Sequence, residues 1–212
     1  MTRWVLDKNP NSIPNDNFDN IKKILQQNTI NSITYTEPFL KTVFLTNLLP
    51  SMKNPVIYLD FDLLFSGYIA SGTIPSNSTV TLLQPTKNNW NEMLKNILKQ
   101  ISQEKSTIII DSINGFYNLF YEIKNVGRLI NSLIMLFVYF SKMSNSHLII
   151  TTMVKQKNKD EWVLSIIGRH TIETKQMTKI HLDKKNGNLK MTVDSTGNNK
   201  EIHAALIKSE LI

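Results

Sequence analysis

A lysine–threonine pair near the start of the chain is the part of the sequence that most resembles a chemical site. The segment Tyr35–Thr42 reads YTEPFLKT and follows a short predicted strand, residues 32–35. A strand, a loop and a Lys-Thr pair are the context of a phosphate-binding loop, G-x-x-x-x-G-K-[ST], which holds a nucleoside triphosphate and Mg²⁺. Tyr35 and Leu40 stand where that pattern has its two glycines. The segment therefore keeps the side chains of a phosphate site and lacks its glycines.

Four residues of this segment work against a phosphate site. Tyr35 and Leu40 replace the glycines that let backbone N–H groups turn towards a phosphate. Pro38 has no N–H, and the carboxylate of Glu37 would repel a triphosphate. We therefore expect that the chain uses neither ATP nor Mg²⁺, and that it is not an enzyme and has no catalytic residues.

Two interpretations remain open for the other polar residues. In the first, Lys41 and Thr42 pair with phosphate and Mg²⁺, and Asp111 helps to hold the metal. In the second, Lys41 is a surface residue at a helix N-terminus, and Asp111 caps the end of a strand. The second interpretation predicts that Lys41→Ala leaves function intact and that ATP does not shift the melting temperature.

The composition excludes several other kinds of site. The 212 residues include no cysteine, which excludes disulfides, thiol nucleophiles and thiolate metal sites. The four histidines have no ligand spacing, so we expect no metal site. The net charge of +7 is a mild bias towards polyanions. The longest apolar stretch, residues 129–140, is interrupted by Asn131 and Ser132 and falls short of a membrane span.

The order of apolar segments predicts an α/β domain. Nearly continuous apolar runs are typical of strands that are buried on both faces of a parallel sheet, and three occur here: 56–61, 106–111 and 147–152. Helical spacing of apolar residues predicts four helices: one from about residue 16 to 25, then 41–49, 91–103 and 126–143. We therefore expect a mainly parallel central sheet with helices on both faces.

The last part of the chain changes to an alternating pattern. Three alternating segments predict C-terminal antiparallel strands at 178–182, 189–193 and 202–206. Asn186-Gly187 predicts a tight hairpin between the first two of them. We expect residues 1–31 to form a lead-in and a helix packed on the core, and residues 32–212 to form a single core domain.

The order of these motifs resembles the RecA/RadA-type recombinase family. One strand of that family ends in an aspartate that is followed by a catalytic glutamate. It is similar to residues 58–62 (YLDFD) of this chain, where Asp62 takes the place of the glutamate. Residues 108–112 (IIIDS) are similar to the Walker B strand. Residues 149–154 (IITTMV) take the place of the "VTNQV" strand, with Thr152-Met153 where Asn-Gln would sense the γ-phosphate. Residues 165–169 (SIIGR) and the closing strands resemble the "ALG…W…TR" segment and final hairpins, so the resemblance covers about residues 32–212.

This resemblance implies a RecA-like ATPase core in a divergent, eukaryotic-type recombinase paralogue with a degenerate Walker A motif. It implies a non-catalytic subunit of a hetero-oligomer with related paralogues, which binds single-stranded or branched DNA and assists DNA repair by homologous recombination. The expected location is the nucleus, or the cytoplasm if the source is archaeal, with no role for a membrane. None of the nine phenylalanines has an alanine three positions later, so the F-x-x-A tether of filament-forming recombinases is missing.

Two alternatives to the recombinase paralogue remain open. An Elongator-type subunit also has a RecA-like core without phosphate-loop glycines, and serves tRNA modification within a ring. A weak ATPase that is active only in a complex with its partner is the other alternative.

In the recombinase family two loops, after the Walker B strand and the sensor strand, face single-stranded DNA. Here the second loop corresponds to residues 155–162 (KQKNKDEW), which suit phosphate neutralisation and base stacking. The candidate DNA-binding residues are Lys155, Lys157, Lys159, Trp162, Arg128, Lys184 and Lys185. In the first loop the aromatic residues between Phe116 and Tyr121 have helical spacing, which favours packing over stacking on bases.

Overall fold

The strands and helices of the chain come from a computed structural model of all 212 residues. It describes the backbone of residues 15–158, 161–164, 176–185, 188–195 and 198–204, and side chains within 18–155, 176–184 and 189–194.

The described residues form six α-helices and nine strands, which alternate as far as the fifth helix, whereas the last five elements are all strands. The helices are α1 (Asn15–Leu25), α2 (Pro38–Leu48), α3 (Leu64–Ala70), α4 (Trp90–Gln103), α5 (Ile113–Leu119) and α6 (Val126–Met143), with a short 3₁₀ turn at Leu49–Ser51. The strands are β1 (Ile30–Tyr35), β2 (Val56–Asp60), β3 (Val80–Leu83), β4 (Thr107–Asp111), β5 (His147–Asn158), β6 (Glu161–Leu164), β7 (Met177–Lys185), β8 (Asn188–Ser195) and β9 (Asn198–Ala204).

One sheet runs through the described part of the chain. Its strand order is β3-β2-β4-β5-β1-β7-β8-β9, and the first six of these strands are parallel. β8 and β9 complete the sheet as antiparallel strands, and β6 pairs with the far end of β5. The carboxyl ends of β1, β2, β4 and β5 therefore meet at one edge, where ligands bind in open α/β sheets. The fold class expected from the sequence is confirmed.

The two faces of the sheet carry separate hydrophobic cores, because successive side chains of a strand point to opposite faces. Tyr58 of β2 joins the core that contains Leu45 of α2. Its neighbour Ile57 joins the core that contains Ile97 of α4 and Ile130 of α6. Both cores are composed of fully buried aliphatic and aromatic side chains, so the central strands are covered on both sides.

The start of α2 differs from the prediction in a way that changes the site. We predicted a helix from about residue 41, whereas α2 begins at Pro38. Proline is well suited to the first helical position, where its missing N–H has no helical acceptor. Only Thr36 and Glu37 therefore connect β1 to α2, and Lys41 lies in the first turn of the helix.

The C-terminal strands also differ in pairing from the predicted meander. β7 was expected to be antiparallel throughout, but it pairs in parallel with β1 and antiparallel with β8. Lys185 of β7 pairs with Asn188 of β8, and Asn186-Gly187, where we expected a tight hairpin, lies outside the described residues. The predicted segment at 165–169 lies outside the described residues.

At the N-terminal side, β1 begins at Ile30, two residues before the expected start of the core domain. Phe18, Ile21 and Leu25 of α1 are buried in the same core as α2. Most of the predicted lead-in, residues 1–14, lies outside the described residues.

Candidate functional site

Polar residues from four elements meet at the carboxyl edge of the sheet. Tyr35 is the last residue of β1, Asp111 is the last residue of β4, and Asp62 follows the end of β2. Lys41 reaches this edge from the first turn of α2, because that helix begins only three residues after β1. Sequence reasoning placed these four residues in one site, and the structure brings them together.

Lys41 is the central residue of this cluster. Its side chain is 0% exposed, and its Nζ lies 2.7 Å from Asp111 Oδ1 and 3.6 Å from Asp62 Oδ2. The same Nζ is 5.2 Å from the centre of the Tyr35 ring, within the range of a cation–π contact. The interpretation of Lys41 as a surface residue is therefore wrong.

Asp111 accepts hydrogen bonds from two further strands. The Thr151 hydroxyl on β5 donates to Asp111 Oδ1 at 2.5 Å, and the Tyr58 hydroxyl on β2 donates to Oδ2. The Asp111 side chain is also 0% exposed. The interpretation of Asp111 as a strand-end cap is therefore wrong, since its carboxylate is a buried counter-ion with three side-chain partners.

Asp62 is held in position by residues at the start of α5. Its Oδ1 accepts hydrogen bonds from Ser112 Oγ at 2.9 Å and from the Ser112 N–H at 3.3 Å. Gly115 of α5 lies against the same carboxylate, since a Cβ built on Gly115 would be 2.1 Å from Asp62 Oδ1. Close packing of α5 thus holds Asp62 towards Lys41.

The cluster shifts the ionisation of its members. Burial raises the pKa of Tyr35 from 10.0 to about 12, against the opposing influence of the nearby Lys41 ammonium. For Lys41, burial alone would lower the pKa, but Asp111, Tyr35 and Asp62 outweigh it and raise the pKa above its usual value. Burial also raises the pKa of Tyr58 and of Asp60, the last residue of β2. Tyr35 and Lys41 therefore keep their protons at neutral pH, which leaves Lys41 charged.

The residues that would form a phosphate loop instead form hydrogen bonds with one another at the start of α2. The Leu40 N–H donates to Glu37 O at 3.1 Å, and the Thr42 hydroxyl donates to Pro38 O at 3.1 Å. Leu40 and Thr42 are buried, whereas Glu37 is exposed. Of these residues, Leu40 belongs to the hydrophobic core, where Phe44 and Leu45 of the same helix also pack.

The sequence pattern of one protein family, described as Elongator subunit Iki1, matches residues 33–212 of the chain. The match includes the second half of β1, the whole Lys41 cluster and all later elements. The chain belongs to this family. No curated protein matches it by sequence.

Solved structures show which fold this member of the Iki1 family adopts. The RadB recombinase has a TM-score of 0.57 and 12% sequence identity, over 86% of this chain and 92% of that chain. A KaiC-like protein from the hyperthermophilic archaeon Pyrococcus horikoshii OT3 has a TM-score of 0.49 and 18% identity, over 82% of this chain and 84% of that chain. The fold of this Iki1-family chain is RecA-like, as expected from the sequence.

Three of the candidate nucleic-acid residues of the Iki1-family chain, Lys155, Lys157 and Trp162, lie on the paired strands of a hairpin formed by β5 and β6. β5 continues to Asn158 and pairs with β6, so Gln156 is opposite Trp162. Lys155 is exposed, as are Arg128 in the first turn of α6 and Lys184 near the end of β7. Lys157, Trp162 and Lys185 lie on described strands, but their side chains, and all of Lys159, are outside the described residues.

Most of the aromatic residues of the predicted first loop pack in the core. Phe116 of α5 is stacked on Phe61, with ring centres 4.3 Å apart, and also contacts Trp90 and Phe120. Tyr121 is exposed, and Lys87 Nζ lies 5.3 Å from the centre of its ring. The preference for packing over base stacking is confirmed for Phe116 and Phe120.

Sequence reasoning missed three partners in the cluster: Tyr58, Thr151 and Ser112. A signal was present, since each is a hydroxyl residue inside or directly after an otherwise apolar strand. Within the part of the chain that the structure describes, no group of three or more His, Asp or Glu residues is placed to hold a metal.

Proposed function

We propose that this chain is a non-catalytic, RecA-like subunit of an Elongator-type complex that acts in tRNA modification. The observation that carries this proposal is the family match over residues 33–212. The partners would be related RecA-like subunits of a hetero-oligomer. This was one of the alternatives that the sequence left open, and the family match now favours it over the recombinase paralogue.

We further propose that the chain binds neither ATP nor Mg²⁺. A RecA-like fold places its phosphates at the edge where Lys41 lies, but here the Lys41 ammonium is already paired with Asp111 at 2.7 Å. A triphosphate would have to separate a buried ion pair, and this leaves a buried carboxylate uncompensated. The residues of the edge therefore do not fit a bound nucleotide.

The backbone at this edge supports the same proposal. The connection from β1 to α2 is two residues long, and Pro38 at the start of α2 has no N–H to offer an anion. The Leu40 N–H is used within the helix. A carboxylate on Glu37 stands in the connection itself, where it would repel a phosphate.

In a subunit without nucleotide chemistry, function depends on contacts with other molecules. The net charge of +7 and the exposed Lys155 and Lys184 at the carboxyl edge support contact with the phosphates of an RNA. The likeness to the RadB recombinase carries the fold alone, so the DNA-repair role, DNA as the ligand and the nuclear location stay predictions.

The proposal is tested by identifying the proteins that copurify with this chain. We expect the full chain, tagged and purified from its own cells, to bring other Elongator subunits with it, and its deletion to lower Elongator-dependent tRNA modification. Recovery of recombination proteins without Elongator subunits would support the recombinase paralogue instead.

The nucleotide proposal needs a separate measurement. We expect isothermal calorimetry of the purified chain with ATP and Mg²⁺ to detect no binding, and the melting temperature to stay unchanged. A turnover assay on the purified complex tests the remaining alternative, since ATP hydrolysis that disappears in Lys41→Met, in a complex that still assembles, would show an ATPase completed by a partner.

A further inference from the structure

The outer face of α6 is an apolar surface that the described part of the fold leaves uncovered. Met135, Tyr139 and Met143 lie on one side of the helix and are 49%, 59% and 70% exposed. Leu129, Leu136 and Phe140 adjoin them and are half-buried. By length and composition this helix could cross a membrane, but its opposite side, including Ile130 and Ile134, is packed in the core. We call the exposed side, from Arg128 to Met143, the α6 face.

The charges of the α6 face are all positive and stand at its two ends. Arg128 and Lys142 are the charged residues of the helix, both are exposed, and there is no acidic residue between them. At a rise of 1.5 Å per residue they are about 21 Å apart along the axis. The neighbouring helix α4 carries two exposed lysines, Lys95 and Lys99, and one acidic residue, Glu92.

We propose that the α6 face binds an amphipathic helix of a partner subunit, about four turns long, with acidic residues at both ends and an apolar stripe between them. The inference rests on the proposed function only in that the chain works as a subunit of a complex. An apolar stripe would cover Met135, Tyr139 and Met143, in the manner of a helix that lies in a hydrophobic groove. Acidic ends would pair with Arg128 and Lys142, which fixes the register of the partner.

Charge distinguishes this occupant from a second copy of the chain. A twofold contact between two α6 faces in antiparallel orientation would place Arg128 of one copy opposite Lys142 of the other. Such like-charge pairs are unfavourable, whereas an acidic partner satisfies both ends. The proposal also gives Arg128 a carboxylate partner in place of the nucleic-acid phosphate that the sequence suggested.

The test uses the full chain in its own cells, with a photo-crosslinking phenylalanine derivative in place of Met135. We expect light to join it to a segment of another subunit that reads as an amphipathic helix with acidic ends. In a chain with Arg128→Glu and Lys142→Glu, we expect at least a tenfold loss of that product. Lys23→Glu and Lys53→Glu, on exposed residues outside the α6 face, serve as the matched control and should leave the product unchanged.

Several outcomes would overturn the inference. They are crosslinks to a second copy of the chain, to lipid or to a helix with basic ends, and a charge reversal that changes nothing. If no Elongator subunit copurifies, the proposed function fails, but the crosslinked segment still decides this inference by its own sequence and its response to charge reversal. Circular dichroism of each variant shows that it is folded.

Discussion

The Lys41 ammonium lies 2.7 Å from Asp111 Oδ1, and neither side chain is reached by solvent. Lys87 and Glu122 are paired at the same 2.7 Å, but on the surface. The two pairs differ in environment and not in length, so their contributions to stability should differ greatly. The buried pair joins α2 to β4 at the carboxyl edge of the sheet.

We expect Lys41→Met to lower the free energy of unfolding by about 3–5 kcal/mol, because Asp111 is then a buried carboxylate without its cation. The double variant Lys41→Met, Asp111→Asn should recover part of this loss, since it also removes the carboxylate that Lys41→Met leaves without a cation. Urea denaturation of the purified variants measures both effects. Lys87→Met is the matched control and should be close to wild type; an equal loss in the control would contradict the role given to burial.

This expectation changes the earlier prediction for Lys41→Ala. A surface lysine could be replaced without consequence, but a buried one also leaves a cavity in addition to an uncompensated carboxylate. We therefore expect lower yields of folded Lys41→Ala protein, whether or not its function is retained.

Alkaline pH should destabilise the protein through Tyr35. Its pKa is about 12 in the folded chain and 10.0 in the unfolded one, so the folded state keeps a proton that the unfolded state loses. The contribution of protonated Tyr35 to the free energy of unfolding is complete below pH 10 and is lost as the pH rises towards 12. A shift of two units corresponds to about 2–3 kcal/mol. Lys41, whose pKa is also raised, acts in the same direction.

Urea denaturation between pH 9 and 12 measures this loss. We expect wild type to lose about 2–3 kcal/mol more than Tyr35→Phe over that interval, since the variant has no phenol to ionise there. Tyr139→Phe, on an exposed residue of α6, should behave like wild type. Equal slopes for wild type and Tyr35→Phe would show that Tyr35 does not titrate as we describe.

Gly115 is a sensitive position for the integrity of the cluster. A Cβ there would lie 2.1 Å from Asp62 Oδ1 and 2.9 Å from the backbone carbon of Phe61. We expect Gly115→Ala to push Asp62 away from Ser112 and to lower the free energy of unfolding by about 1–3 kcal/mol. Gly67→Ala in α3 meets nothing within 4 Å and should raise it by about 0.5–1 kcal/mol. Thermal unfolding of the two variants would contradict this account if Gly115→Ala were the more stable.

Charge reversal in the β5–β6 hairpin should weaken nucleic-acid binding. With Lys155, Lys157 and Lys159 changed to Glu, we expect a lower affinity for single-stranded RNA and a salt dependence whose slope is smaller by about 2. Fluorescence anisotropy at several salt concentrations measures both. The control reverses Lys53, Lys99 and Lys105, which are exposed residues outside the hairpin. If both triple variants lose the same affinity, net charge explains the binding and the hairpin has no special role.

The central part of the fold could be predicted because its signals are local. Continuous apolar runs indicated β2 and β4, and helical spacing gave α6 its observed bounds of Val126 and Met143. The direction of β7 could not be predicted in this way. Its residues alternate between buried and half-buried positions, and that pattern is the same whether the neighbour is parallel or antiparallel. Pairing with β1 depends on the order of strands in space, which no local pattern encodes.

The sequence could predict which residues form the candidate site, but it could not predict that Lys41 is buried. Strand ends indicated Tyr35, Asp62 and Asp111, since carboxyl ends of parallel strands meet at one edge. Whether Lys41 points outwards or inwards depends on where α2 begins. A start at Pro38 turns Lys41 towards Asp111, whereas the predicted start at residue 41 left it on the surface.

Where α2 begins also limits how easily substitutions could create a phosphate site at this edge. Glycine at positions 35 and 40 would delete two side chains from the hydrophobic core and would not lengthen the two-residue connection before Pro38. Each such step would cost stability before any phosphate could gain a binding site. Interior packing therefore opposes substitutions at this edge of the sheet. Substitutions at exposed positions cost less stability, so the protein can change most readily on its surface.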